Sequence, residues 1–289
     1  MDMRQQPSAQ DSPDAASRHV ARSPLTAAQI FNAYLTWFTT PLIIILFLLV
    51  WKAYVTISGV SAFVLPAPEK VLLAIVADLT DPVTYDHLLT TLLEIFQGFA
   101  LAIVTGILLA LLLYKVAVME RVLNPFIVAM QVVPKVALIP LFVVWFGFGM
   151  TSKVIVAAVL AFFPIFMNTL LGLKSIHFGH REVMETNNAS RLQTFLKLEM
   201  PSALPYTLAG MEMGIVFATI GAVVGEFLGG NRGLGYLTIS RLNSFQIEGL
   251  FSSIIILTML GFVLYSVVVL AKTFAIPWHE SVCSRRTGG

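Results

Sequence analysis

A few ionisable residues stand inside otherwise apolar runs: Lys135, Glu94, Glu212 and Glu226, with the amide Asn168 in another such run. Charges in that setting are costly, so they point to solute paths and ion pairs rather than to catalysis. Lys135 lies between Pro134 and Pro140. Two prolines interrupt a helix and free carbonyls, which is tolerated beside other helices or a water-filled cavity. Lys135 therefore either faces a solute path or snorkels to pair with a neighbour. Glu94 and Glu226 fall near helix ends, where an interfacial position keeps a carboxylate solvated. Lys135, Asn168 and Glu226 are the candidates for a solute path, and Asn168 is also placed as an interhelical donor. Glu212 is expected to pair with a loop cation.

Catalytic residues are not expected. No G-x-x-x-x-G-K-S/T loop, G-x-S-x-G elbow or H-E-x-x-H pair occurs. His177 and His180 share the i, i+3 spacing but have no carboxylate or thiol fixed nearby, so no metal site is expected. The single cysteine, Cys283, permits no intrachain disulfide.

The elements that position these residues follow from composition. Of 289 residues 57% are apolar and only 12% charged, about half the ~25% of a soluble domain. The chain reads as an all-α integral membrane protein, and its net charge of +2 gives no reason to expect nucleic acid. Crossing a bilayer takes about 20 apolar residues. Six runs qualify, near 41–58, 90–114, 125–147, 153–173, 206–228 and 250–275. Residues 1–24 read as a disordered polar tail. Residues 25–40 form either an interfacial amphipathic helix or a continuation of the first span. The spans define a membrane domain over 41–280, with short tails at 1–40 and 281–289.

Lys and Arg set the orientation. With the N-terminus in the cytoplasm, the inner segments hold Arg4, Arg18, Arg22, Lys115, Arg121, Lys174, Arg181, Arg191, Lys197, Lys272, Arg285 and Arg286. The outer segments hold only Lys70, Lys153, Arg232 and Arg241, and the outer loop 59–89 is acidic, with Glu69, Asp78, Asp81 and Asp86. Both termini are therefore expected inside. Small residues let membrane helices approach closely. Gly98, Ala102, Gly106 and Ala110 recur at four-residue steps in the second span, as do Gly210, Gly214, Ala218 and Ala222 in the fifth. These stripes predict tight helix packing, either within the chain or between subunits.

The inner segment 174–205 is long and polar, with short helices expected near 180–187 and 190–199, ended by Pro201 and Pro205. It carries Glu182, Val183, Met184, Asn188, Ala189, Ser190, Leu198 and Pro201. At these spacings it resembles the EAA loop of permease subunits of bacterial ABC importers: Glu-Ala-Ala, three residues, Gly, nine residues, Ile, one residue, Leu-Pro. Val183 and Met184 stand for the two alanines, Asn188 for the glycine and Met200 for the leucine. Asn tolerates the left-handed backbone that the glycine would supply. Further stretches are similar to the nitrate/sulfonate/taurine branch of that family: Leu65-Pro66-Ala67-Pro68, Trp145-Phe146-Gly147-Phe148-Gly149, Phe163-Pro164 and Gly225-Glu226-Phe227-Leu228-Gly229 followed by Gly233-Leu234-Gly235-Tyr236.

The resemblance implies the type I ABC importer permease fold in a bacterial inner membrane. It implies a second permease copy as a homodimer, cytoplasmic ABC ATPase subunits that contact the 174–205 loop, and a periplasmic or extracellular solute-binding protein. ATP and Mg would belong to the ATPase, and this chain would bind no cofactor. The solute would be small: an inorganic or organic anion, an aromatic acid or a vitamin precursor. The competing reading is an autonomous secondary transporter without an ATPase, which leaves the long inner loop unexplained.

Overall fold

The computed structural model describes residues 27–277, and these are all-helical. The tails expected at 1–24 and 281–289, with Arg4, Arg18, Arg22, Cys283, Arg285 and Arg286, lie outside the described residues. Helix α1 (Ala27–Ser58) runs without a break through Pro41. That continuity favours the extension of the first span over a separate interfacial helix. No residue of 41–58 is buried, as suits a helix surrounded by lipid.

Helix α2 (Pro68–Asp78) and helix α3 (Pro82–Lys115) each start with proline in the first turn, where the missing N–H costs no helical bond. Asp81 caps α3 by accepting the Val83 N–H at 3.0 Å. The outer loop is thus shorter than expected, because α3 begins well before residue 90. Helix α4 (Ala117–Val132) and helix α5 (Ile139–Phe146) are joined by a 3-10 turn over Lys135–Leu138. The two arms, Val118–Val132 and Lys135–Phe146, cross at 86°. Val133, ahead of Pro134, is forced to ψ 127, which ends α4.

Helix α6 (Met150–Lys174) and helix α9 (Met200–Gly229) form the centre, with α3 against both. The remaining elements are α7 (Phe178–Thr186), α8 (Arg191–Thr194), α10 (Leu234–Asn243) and α11 (Ile247–Ala275). Five helices are long and apolar enough to cross a membrane, and the bent α4–α5 pair makes a sixth span if counted as one.

Both small-residue stripes turn inward onto α6. A Cβ on Gly98 would lie 2.5 Å from the Ala157 Cβ, and one on Gly221 2.8 Å from the Ala157 Cα. A Cβ on Gly210 would lie 2.8 Å from the Pro164 carbonyl oxygen, while Gly106 faces Ile165 and Phe166 and Gly214 faces Ile165. Ala102, Ala110, Ala218 and Ala222 are fully buried with them. The stripes therefore seat α3 and α9 within the chain and are not free for a subunit interface.

Pro201 and Pro205 do not end a helix, contrary to expectation. A π turn over Phe195–Glu199, in which the Met200 N–H reaches back to the Phe195 carbonyl, runs straight into α9. The wider turn makes room for the Pro201 ring, which would otherwise press on a carbonyl of the preceding turn.

Candidate functional site

Helices α7 and α8 form a hairpin at the end of the bundle where α3 and α6 finish. His177 caps α7, its Nδ1 accepting the Gly179 N–H at 3.2 Å. After α7 the chain turns at Asn188, whose φ of 51° is the left-handed conformation the loop spacing calls for. The Asn188 N–H donates to the Glu185 carbonyl and the Ala189 N–H to the Met184 carbonyl, both at 2.9 Å. Ser190 then starts α8 through a capping box. The Gln193 N–H donates to Ser190 Oγ at 3.2 Å and the Ser190 N–H to Gln193 Oε1 at 2.8 Å.

The hairpin has a buried anchor at Glu199 and exposed outer side chains. Glu199 is 6% exposed and accepts from Lys115 Nζ at 2.5 Å and from the Tyr114 hydroxyl at 3.1 Å. Arg181 donates to the same Tyr114 hydroxyl. This network ties α7 and the π turn to the end of α3, and Lys174 pairs with Glu120 beside it. Outside this network Glu182 is exposed, and Phe178, Val183 and Leu192 are 71%, 58% and 66% exposed. Met184, Ala189, Leu198 and Pro201 are half-buried. Spacing marked the loop but not its anchor: Tyr114, Lys115 and Glu199 are far from it or polar without a motif. The one available signal was a glutamate set among Phe195, Leu196 and Leu198.

The left-handed turn gives a direct prediction. Asn188→Val places a β-branched residue at positive φ and is expected to cost about 1–2 kcal/mol, frayed locally in the hairpin. Limited proteolysis should show faster cleavage around residues 186–190, while Asn188→Gly should resist like the wild type.

At the opposite end of the bundle the structure corrects the expectation for Glu94 and Glu226. Neither is solvated at an interface: they are 0% and 1% exposed, and Lys153 beside them is 2% exposed. The cause is α10, which folds over the helix ends. Lys153 Nζ lies 3.1 Å from Glu94 Oε1 and donates to the Arg232 carbonyl at 3.4 Å. Glu226 accepts from the Thr91 hydroxyl at 2.6 Å and from the Gly235 N–H at 2.5 Å. The Leu234 N–H donates to Thr91 Oγ1 and the Gly233 N–H to His87 Nδ1. With both oxygens so occupied, Glu226 pins the start of α10 to α3 and α9 and is not turned to a path. Gly233 is required here, because its φ is 105° and a Cβ would overlap the Glu226 carboxylate.

Other placements also differ. Asn168 Nδ2 donates at 2.8 Å to the Pro164 carbonyl of its own helix, so it is not an interhelical donor. Glu212 pairs with Lys272 of α11 at 3.2 Å rather than with a loop cation. Asp78 and Arg241, expected on outer loops, form a buried pair in which Arg241 Nη1 also reaches Ser253 and the Gly249 carbonyl.

Lys135 stands apart. It is half-buried at the bend between α4 and α5, where Nζ donates to the Gln131 carbonyl at 3.3 Å and sits 4.5 Å from the centre of the Phe163 ring. It opens onto a cavity of about 280 Å³ whose walls include Leu160, Phe163, Phe217 and Ile220.

Comparison with known proteins agrees with this architecture. Residues 102–274 match the family described as binding-protein-dependent transport system inner membrane component. The chain is 38% identical to the formylaminopyrimidine transport permease protein ThiX of Halalkalibacterium halodurans, over 83% of this chain and 95% of that one. It is 36% identical to the riboflavin transport system permease protein RibX of Chloroflexus aurantiacus, over 83% and 90% of the two chains. With the taurine transport system permease protein TauC of Escherichia coli it shares 28% identity over 81% and 87%.

Proposed function

Because the chain belongs to the family of binding-protein-dependent transport system inner membrane components, we propose that its α7–α8 hairpin is the site at which a separate ATPase drives transport. The protein is a multi-pass inner-membrane permease of an ABC importer for a small solute. The observation that carries the hairpin assignment is its combination of a hydrogen-bonded, buried anchor with exposed apolar side chains. Phe178, Val183 and Leu192 are large apolar side chains left exposed on a polar hairpin at one end of the bundle, which suits a protein partner. The Glu199–Lys115–Tyr114–Arg181 network passes any displacement of the hairpin to α3 and α9.

In this reading the hairpin end and both termini face the cytoplasm, and two copies of the chain pair as a homodimer over two ATPase subunits. ATP and Mg stay with the ATPase. A solute-binding protein docks at the end covered by α10. Closure of the ATPase pair moves the hairpin as a lever, and the helices exchange inward- and outward-facing arrangements, each favoured by different contacts at the loop. Glu182, exposed on α7, is the residue proposed to engage the ATPase, while Asn188 and Ser190 hold the turn and Leu198 and Pro201 connect it to α9.

The reading is tested by co-purification in detergent with the ATPase encoded beside this chain. Wild type is expected to retain it. Glu182→Ala is expected to lose it, or to keep it while losing solute-dependent ATP hydrolysis. Failure of wild type to retain any ATPase with or without nucleotide would contradict the assignment.

A further inference from the structure

Lys135 is a cation in an apolar span that takes part in no ion pair among the described residues, unlike Lys153 and Lys272, which each face a glutamate. Among the described residues its partners are one backbone carbonyl and one face of the Phe163 ring. A lone ammonium in so apolar a setting is held at a cost that an incoming anionic or strongly accepting group would offset. The rest of the wall offers almost no other polar handle. Leu160, Phe163, Pro164, Phe217 and Ile220 present aliphatic and ring surface.

A second cavity, of about 370 Å³, lies between α9 and α11 and shares Ile220 as a wall residue. The hydroxyls there, on Thr219 and Thr258, are already donated to the Ile215 and Ile254 carbonyls. The Lys135 cavity, at about 280 Å³, stands at the lower edge of small-molecule sites, which run roughly 300–1,000 Å³ with apolar walls and a few placed polar groups.

We infer that the Lys135 cavity is a solute-contact site and that it selects a flat, ring-containing solute with an anionic or carbonyl acceptor at one edge. The acceptor meets Lys135 Nζ, and the ring lies against Phe163 and Phe217. A small hydrated anion would gain the single charge but none of the surface, and a neutral aliphatic solute neither the charge nor the ring contacts. The inference rests on the permease reading and names the solute class for it.

The test uses the full chain in lipid nanodiscs, with benzoate as the ring-bearing anion and acetate as the anion without a ring. Saturation-transfer NMR reads binding of both. Benzoate is expected to bind and acetate to bind at least tenfold more weakly, with nitrate at equal concentration failing to displace benzoate. Lys135→Met should weaken benzoate at least tenfold, and Lys135→Arg should retain it. Phe163→Leu, which keeps bulk but removes the ring, should weaken benzoate and leave acetate unchanged. Equal binding of benzoate and acetate, displacement by nitrate, or benzoate binding indifferent to Lys135→Met would each overturn the inference. So would absence of benzoate binding in a chain that still co-purifies its ATPase, and that result would leave the permease reading standing.

Discussion

Lys153→Met is expected to destabilise the protein by about 3–5 kcal/mol, the cost of removing one partner from a buried ion pair. Two carboxylates, Glu94 and Glu226, share the site with this one ammonium, and all three are almost wholly buried. Without Lys153, Glu94 keeps no counter-charge among the described residues. Thermal unfolding in detergent should show a large fall in midpoint. Adding Glu94→Gln to the same chain removes the stranded charge and is expected to recover much of that loss. A single mutant that melts with the wild type, or a double mutant no better than the single, would show that the pair contributes little. Because the cluster lies far from the hairpin, ATPase binding by protein that does fold should be unaffected.

Gly210→Leu is expected to have the second-largest effect. The Cβ alone would meet the Pro164 carbonyl oxygen at 2.8 Å and the Ile165 Cα at 3.1 Å, and neither is the end of a flexible side chain. Helices α6 and α9 must separate, at the upper end of the ~1–3 kcal/mol usual for overpacking. The same separation disturbs Asn168, whose Cβ is the third neighbour at 2.9 Å. Gly261→Ala is the control, since its nearest neighbour would be a Thr219 methyl at an ordinary 3.6 Å. Size-exclusion profiles and melting midpoints of the two variants should differ sharply. Equal behaviour would mean that the α6–α9 contact is not as close as described.

Local signals in the sequence carried much of this fold. Apolar runs located the spans, and the four-residue recurrence of Gly98, Ala102 and Gly106 and of Gly210, Gly214 and Ala218 marked the faces buried on α6. Asn188 at positive φ follows from a spacing that asks for glycine there. Partnership between distant residues was not legible. Lys153 meets Glu94, and Arg241 meets Asp78 at a separation of 163 residues, through the folding of α10 and α2 over helix ends. Charge counting placed Lys153, Arg241 and Asp78 in outer segments, and Glu94 was expected at a solvated helix end, because neither reading registers such covering elements. Helix termination at Pro201 failed for a related reason: a π turn absorbs a proline at a cost that depends on geometry rather than on residue type.

The central claim is that the α7–α8 hairpin contacts an ATPase and moves with its nucleotide state. The most direct measurement is crosslinking from Val183→Cys in a Cys283→Ser background, which removes the chain's single native cysteine. Cysteines placed across the permease-facing surface of the ATPase serve as acceptors, and Ser244→Cys, exposed near the opposite end, serves as the control. The account predicts a crosslink confined to a few acceptor positions, with a yield that changes between nucleotide-free and ATP-bound states, and none from position 244. Absence of crosslinking from position 183, or a yield indifferent to nucleotide, would contradict it.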